Sequence, residues 1–147
     1  MIKRELKASV DIKAPPEAVW RVLLDFPAYP EWSEFLTNIE GPAVPGSRLR
    51  IRLASAGGKV YTFKPMVLQV TRARTFRWLG NLGVPGLLDG EHGFFLEYLF
   101  GGGTRLRQTE IFGGLLAPLL WRRLEPSTAQ GFAAFNRALK RRTESRS

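Results

Sequence analysis

The sequence predicts an α+β domain in which a curved antiparallel sheet of about seven strands wraps around a long C-terminal helix. Three observations carry this. From about Leu36 to Phe112 the chain reads as short runs of period-two patterning, separated by Gly41-Pro42, Pro45-Gly46, Gly57-Gly58 and Gly101-Gly102-Gly103. That is the pattern of antiparallel β-structure. One sharply alternating strand and one short helix precede this region, and Leu115 to about Thr143 has the spacing of a long amphipathic helix. Sheet and helix each carry an apolar surface, and wrapping one around the other buries both while leaving room for a cavity between them. At 147 residues the chain supports one core. Residues 1–143 are expected to form a single domain, with 144–147 as a frayed tail.

The first strand rests on Leu6, Ala8, Val10 and Ile12, which alternate with Lys7, Ser9, Asp11 and Lys13. Ala14-Pro15-Pro16-Glu17 ends it and opens a helix, with proline tolerated in the first turn. Val19, Trp20, Val22, Leu23 and Leu24 give that helix its buried stripe. Two prolines in Asp25-Phe26-Pro27-Ala28-Tyr29-Pro30-Glu31-Trp32 allow at most one further short turn before Phe35. Strands are expected near 36–40, 47–55, 59–72, 75–80, 91–100 and 104–112. Pro65 inside the third calls for a bulge or an edge position. Pro126 removes a helix hydrogen bond, so the C-terminal helix is expected to kink or break near Leu124-Glu125 and restart. Its Phe132, Phe135 and Leu139 stripe should pack on the sheet.

Composition excludes several chemistries. No cysteine means no disulfide, thiolate ligand or cysteine nucleophile, and a single histidine, His92, excludes zinc sites that need two or three imidazoles. No metal or cofactor is implied. No apolar run reaches the roughly 18 residues of a membrane span, and Met1-Ile2-Lys3-Arg4-Glu5 lacks the apolar core of a secretory signal, so a cytoplasmic location is expected. The net charge of +9 invites a nucleic-acid reading. However, the basic residues are dispersed, as in Arg48-Leu49-Arg50-Ile51-Arg52-Leu53, where they occupy the wet face of a half-buried strand. Only Arg137, Lys140, Arg141, Arg142 and Arg146 cluster, at the end of the last helix, where they complement its dipole and face solvent. Nucleic acid is therefore not an expected partner; a weak contact of this helix end with an anionic membrane surface is.

Three segments resemble a known family: Pro15-Pro16-Glu17-Ala18-Val19-Trp20, Asp25-Phe26-Pro27-Ala28-Tyr29-Pro30-Glu31-Trp32 and Gly102-Gly103-Thr104-Arg105-Leu106. They are similar to the corresponding segments of the START-like (SRPBCC) superfamily, above all its polyketide cyclase/dehydrase-like bacterial members. The resemblance covers essentially the whole chain. It implies the helix-grip fold and an internal cavity for an apolar small molecule. It does not set the function, because that superfamily includes lipid carriers, receptors, oxygenase subunits and aromatase/cyclases. The iron-dependent type is excluded by one histidine and no cysteine.

The last two strands hold the candidate chemistry. A three-residue turn at Gly101-Gly102-Gly103 places Glu97 opposite Arg107, a favourable cross-strand pair. In that register His92, Phe94, Leu96, Tyr98, Leu106, Gln108, Glu110 and Phe112 share the face toward the helix, and His92 and Glu110 are diagonal neighbours. An inward carboxylate costs several kcal/mol unless it is paired. His92, Gln108 and Glu110 therefore read as a polar anchor for a ligand hydroxyl or carbonyl, as an acid–base pair (His92 and Glu110), or as a structural ion pair and a satisfied histidine. Trp32, Phe35, Phe63 and Trp78, with Phe94, Leu96, Phe112, Phe132 and Phe135, are expected to border the interior as core or as cavity wall. Gly80 to Gly90, with its apolar tip, reads as an entrance loop or a plain hairpin excursion.

The leading expectation is binding of an apolar small molecule or lipid in the internal cavity, without catalysis. The alternative is a polyketide aromatase/cyclase or dehydratase that uses His92 and Glu110. A third reading is a basic-surface module that contacts membranes or proteins.

Overall fold

Strand β1, Arg4–Ile12, alternates in exposure residue by residue, as its alternating sequence requires. The structure, a computed structural model, describes residues 3–55, 57–81 and 83–146. Helix α1, Pro16–Leu24, begins on Pro16, where the missing amide costs nothing, and buries Val19, Trp20 and Leu23. Pro27 and Pro30 shape the next segment into a six-residue 3-10 helix, Phe26–Glu31. Strands β2 (Leu36–Glu40), β3 (Arg50–Ala54), β4 (Val60–Phe63), β5 (Met66–Thr71), β6 (Thr75–Asn81), β7 (Asp89–Tyr98) and β8 (Thr104–Gly113) follow, then α2, Ala117–Ser145.

The strands form a five-stranded sheet in the order β1-β8-β7-β6-β5 and a three-stranded sheet β2-β3-β4, antiparallel throughout. There are thus eight strands, not seven. The expected strand 59–72 is interrupted over Lys64 and Pro65, because proline cannot donate to a ladder. At that point the chain passes from the smaller sheet into the larger. The segment before β3 follows it across. Gly46 and Leu49 donate to the carbonyls of Val67 and Pro65, and Val67 donates to Ser47. Both sheets and α2 face a shared core.

Helix α2 lays Phe132, Phe135 and Leu139 against the sheet, each at most 2% exposed, and burial of such side chains stabilises by about 1.5–3 kcal/mol apiece. The expected break at Pro126 is absent: the helix is continuous through it. The residue lies on the exposed side of the helix, as does Arg122, whose carbonyl loses its amide partner, so water can take that bond.

The helix also extends past its expected end. Glu144 and Ser145, the first residues of the expected 144–147 tail, are helical. Glu144 accepts hydrogen bonds from the Lys13 amide at 2.8 Å and from Lys140 Nζ at 2.7 Å, which ties the helix end to β1. Both lower the Glu144 carboxyl below the ordinary glutamate value, with the Lys13 amide the larger cause. The basic cluster here is not wholly free. Lys140 also donates to the Asp11 carbonyl, and Arg142 bonds Glu31 at 2.8 Å.

The register of β7 with β8 differs from expectation by two residues. Tyr98 pairs with Thr104 and Glu97 with Arg105 rather than Arg107, so the turn spans 99–103. Leu99 and Gly103 close it with a 2.8 Å bond, and Gly101 and Gly102 take the positive φ it requires. Because two is the period of a strand, the side-chain faces are unchanged. Only Tyr98, at the strand end, escapes to solvent.

Candidate functional site

A cavity of about 470 Å³ lies between the two sheets and the N-terminal half of α2. The smaller sheet contributes Leu36, Leu53, Tyr61 and Phe63, and the larger one Trp78, His92, Glu110 and Phe112. Helix α2 supplies Arg123, Leu124, Ser127, Thr128 and Phe132, and Phe35 and Leu88 complete the wall. The walls are mainly apolar. The polar groups come from β7, β8 and one face of α2, with the Tyr61 hydroxyl from β4.

Of the residues expected to border a ligand, the structure brings Phe35, Phe63, Trp78, His92, Glu110, Phe112 and Phe132 to this cavity. It does not bring Trp32, Phe94, Leu96, Gln108 or Phe135. Phe94, Gln108 and Phe135 are filled core, at most 1% exposed, and Leu96 lies toward the turn end of its strand, also buried. Trp32 lines a different cleft, beside α1 and the end of α2. Sequence reasoning missed Leu36, Leu53, Tyr61 and Leu88. It also missed Arg123, Leu124, Ser127 and Thr128. The polar ones stand at helical spacing ahead of Phe132, which is the signal that could have found them.

His92 is the best-held group in the site. Its ring, 3% exposed, stacks on Trp78 at 4.8 Å between centroids and meets the edge of Phe132 at 5.0 Å. Direct pairing of His92 with Glu110 across β7 and β8 sets their contact, Nδ1 to Oε1, at 3.0 Å. The other nitrogen, Nε2, lies 2.9 Å from Gln108 Oε1. Gln108 is oriented by α2: its Nε2 donates to Asn136 Oδ1 at 2.6 Å and, less closely, to the Phe132 carbonyl at 3.5 Å. Its oxygen is therefore the atom that faces the imidazole.

This fixes where hydrogens are held. Nε2 faces an acceptor and so donates to it, while one hydrogen occupies the Nδ1···Oε1 contact, whichever of the two atoms carries it. Both histidine nitrogens are thereby used inside the protein. Glu110 keeps Oε2, which makes no hydrogen bond among the described residues and lies over Gly90, where a Cβ would approach it to 2.7 Å. Glycine at 90 thus makes room for the carboxylate. Asn136, a polar residue buried within the Phe132–Leu139 stripe, completes this relay, and its place on that apolar stripe is the sequence signal for it.

The expected entrance loop borders the cavity through Leu88; Leu82 lies outside the described residues. Asp89 holds the loop by accepting from Asn81 at 2.7 Å and from the Gly86 amide at 3.0 Å. Among the described residues no group of three or more His, Cys, Asp or Glu side chains is placed to hold a metal ion. No helix among them is long and apolar enough to cross a membrane.

The fold is shared with solved structures. The Zhui aromatase/cyclase from Streptomyces sp. R1128 superposes with a TM-score of 0.80 at 19% identity, covering 99% of this chain and 96% of that one. A START superfamily protein from Mycobacterium smegmatis gives 0.73 at 21% identity, covering 97% and 99%. The di-domain aromatase/cyclase StfQ of the steffimycin biosynthetic pathway gives 0.77 at 11% identity, with 98% of this chain on 51% of that one. Among curated proteins no match was found. A family model described as polyketide cyclase / dehydrase and lipid transport matches residues 3–144, nearly the whole chain, and the chain belongs to that family.

Proposed function

We propose that the cavity binds an apolar small molecule, lipid-like or polyketide-like, that carries a hydrogen-bonding polar group. The observation that supports this is a mainly apolar cavity with one carboxylate oxygen, Glu110 Oε2, left without a hydrogen-bond partner among the described residues. Its volume of about 470 Å³ falls in the range of roughly 300–1,000 Å³ usual for small-molecule sites. Apolar walls would supply most of the affinity, and a ligand hydroxyl donating to Glu110 would set its orientation. His92 acts as a positioning residue, since neither of its nitrogens is free to meet the ligand.

The test is a thermal melt with a panel of fatty acids, sterols and polyketide-like aromatics. A ligand present at a hundredfold excess over Kd stabilises the fold by about 2.7 kcal/mol. In Glu110→Gln, which keeps the cavity's shape, the amide NH2 serves Nδ1 and a neutral carbonyl replaces the carboxylate oxygen, so panel members that donate a hydrogen bond should bind more weakly while those that do not should be little changed. A parent protein that shifts with no member of the panel would sink the reading.

A second reading, cyclisation or dehydration of a polyketide-like substrate, has one specific observation in its favour. The Nδ1···Oε1 contact joins His92 to a carboxyl group that lines the cavity, so a proton held in that contact would reach a bound molecule through Glu110. Turnover of a polyketide-like substrate that disappears in Glu110→Gln while binding persists would favour this reading over a carrier.

A further inference from the structure

We infer that the rim formed by the 83–88 loop and the first turns of α2 is a docking surface for an anionic lipid bilayer. The inference does not depend on what the cavity holds.

Three large aliphatic side chains stand out of the fold there: Val84 is 63% exposed, Leu115 76% and Leu119 77%. A scattered exposed leucine needs no explanation, but these belong to one edge. The Leu115 and Leu116 amides donate to the carbonyls of Gly86 and Leu87 at 3.0 and 2.9 Å, which fastens the loop to the start of the helix. Arg122 and Arg123 follow Leu119 at helical spacing, both exposed, and neither has an acidic partner among the described residues. From Ala117 to Gly131 the only acidic residue is Glu125, and Asp89 nearby is engaged by Asn81 and the Gly86 amide. The positive end of the α2 dipole lies at this edge as well.

Protruding aliphatic side chains beside unpaired arginines match a surface that is apolar beneath and anionic on top. A second copy of the chain fits less well, because a two-fold contact through this edge would set the same arginines of both copies together. The surface is continuous with the cavity: Leu88, Arg123 and Leu124 line its wall. Docking by this edge would therefore turn the cavity's α2 side toward the bilayer.

The experiment is co-sedimentation of the whole chain with vesicles of phosphatidylcholine alone and of phosphatidylcholine mixed with phosphatidylglycerol. Binding to the mixed vesicles, weakened by salt and absent from the neutral ones, is expected. Arg122→Gln with Arg123→Gln should weaken it about thirtyfold, the loss expected for two cations at an anionic surface. Leu115→Ser with Leu119→Ser should weaken it by about tenfold or more; both leucines are exposed, so the fold should survive, as a thermal melt would verify. Arg137→Gln with Arg141→Gln, at the far end of α2, should leave binding unchanged. The proposal is overturned if the mixed vesicles do not bind, if the leucine variant binds like the parent, or if the far-end variant loses as much as the near-end one. It is equally overturned if the leucines instead hold a concentration-dependent dimer that ignores vesicles.

Discussion

Nδ1 of His92 and Oε1 of Glu110 lie 3.0 Å apart on directly opposed positions of neighbouring strands, between two rings and an apolar cavity. The second nitrogen is used by Gln108, so the pair forms one unit rather than two free groups. Glu110→Gln still offers Nδ1 a hydrogen-bond partner, and its unfolding free energy should stay within about 1 kcal/mol of the parent. Glu110→Leu leaves a buried nitrogen unpaired and should cost about 1–3 kcal/mol in urea denaturation. Equal stability of the two variants would show that the contact does not hold the imidazole.

Gly131 of α2 lies directly under the ring of Phe35, so a Cβ there would run into it. Gly131→Ala should displace Phe35, which lines the cavity, and cost about 1–3 kcal/mol through overpacking, despite alanine's better helix propensity. Adding Phe35→Leu should return most of that loss. A stabilised Gly131→Ala single variant would contradict the contact.

Tyr29, buried beneath the 3-10 helix, donates its hydroxyl to the Leu23 carbonyl at 2.6 Å. Tyr29→Phe should cost about 1 kcal/mol at neutral pH. Burial pushes this hydroxyl well above the ordinary tyrosine value, and the nearby Asp25 charge adds to the effect. Above about pH 10 the unfolded chain ionises here while the fold does not, so stability falls as pH rises. The slope of stability against pH in that range should be shallower in Tyr29→Phe by about one proton.

Glu144 works in the opposite sense. Its carboxyl is held below the usual value by the Lys13 amide and then by Lys140. The contribution is present above the ordinary glutamate value and is lost as pH falls through the lower folded one. Measured relative to its intrinsic rate, which itself slows in acid, hydrogen exchange of the Lys13 amide should therefore quicken as pH falls. In Glu144→Gln that acceleration should be absent, and the exchange should be faster already at neutral pH.

Much of this fold was legible because period-two patterning survives errors that preserve parity. The inward set His92, Phe94, Leu96, Gln108 and Phe112 was readable even though the turn at 99–103 is longer than its three glycines suggested, since a slip of two keeps every face. The same slip turned an expected diagonal contact of His92 and Glu110 into a direct one. Pro65 marked a real interruption, whereas Pro126 did not break its helix. A strand cannot spare the donor in mid-sheet, but an exposed helix face can pass the orphan carbonyl to water. What the sequence could not separate was wall from core. Phe94 and Phe112 stand on the same face of paired strands, yet one is filled core and the other lines the cavity. That distinction is set by where β2–β4 stand off from α2, which no local pattern records.

The interruption at Lys64-Pro65 has a bearing on ligand size. The cavity is enclosed by two β-plates joined along a crease, with the Pro65 side of that crease missing an amide and a few backbone bonds from Gly46 to Leu49 acting as its stitching. A small rotation about such a crease changes the separation of Tyr61 and Phe63 from Trp78 and Phe112 while leaving the ladder that holds His92 and Glu110 intact. Such a rotation would leave in place the wall that carries His92 and Glu110 and move the one that carries Leu36, Leu53, Tyr61 and Phe63. If the proposed ligand binds here, molecules alike in their polar group but unlike in girth are the set such a clasp would be expected to accept.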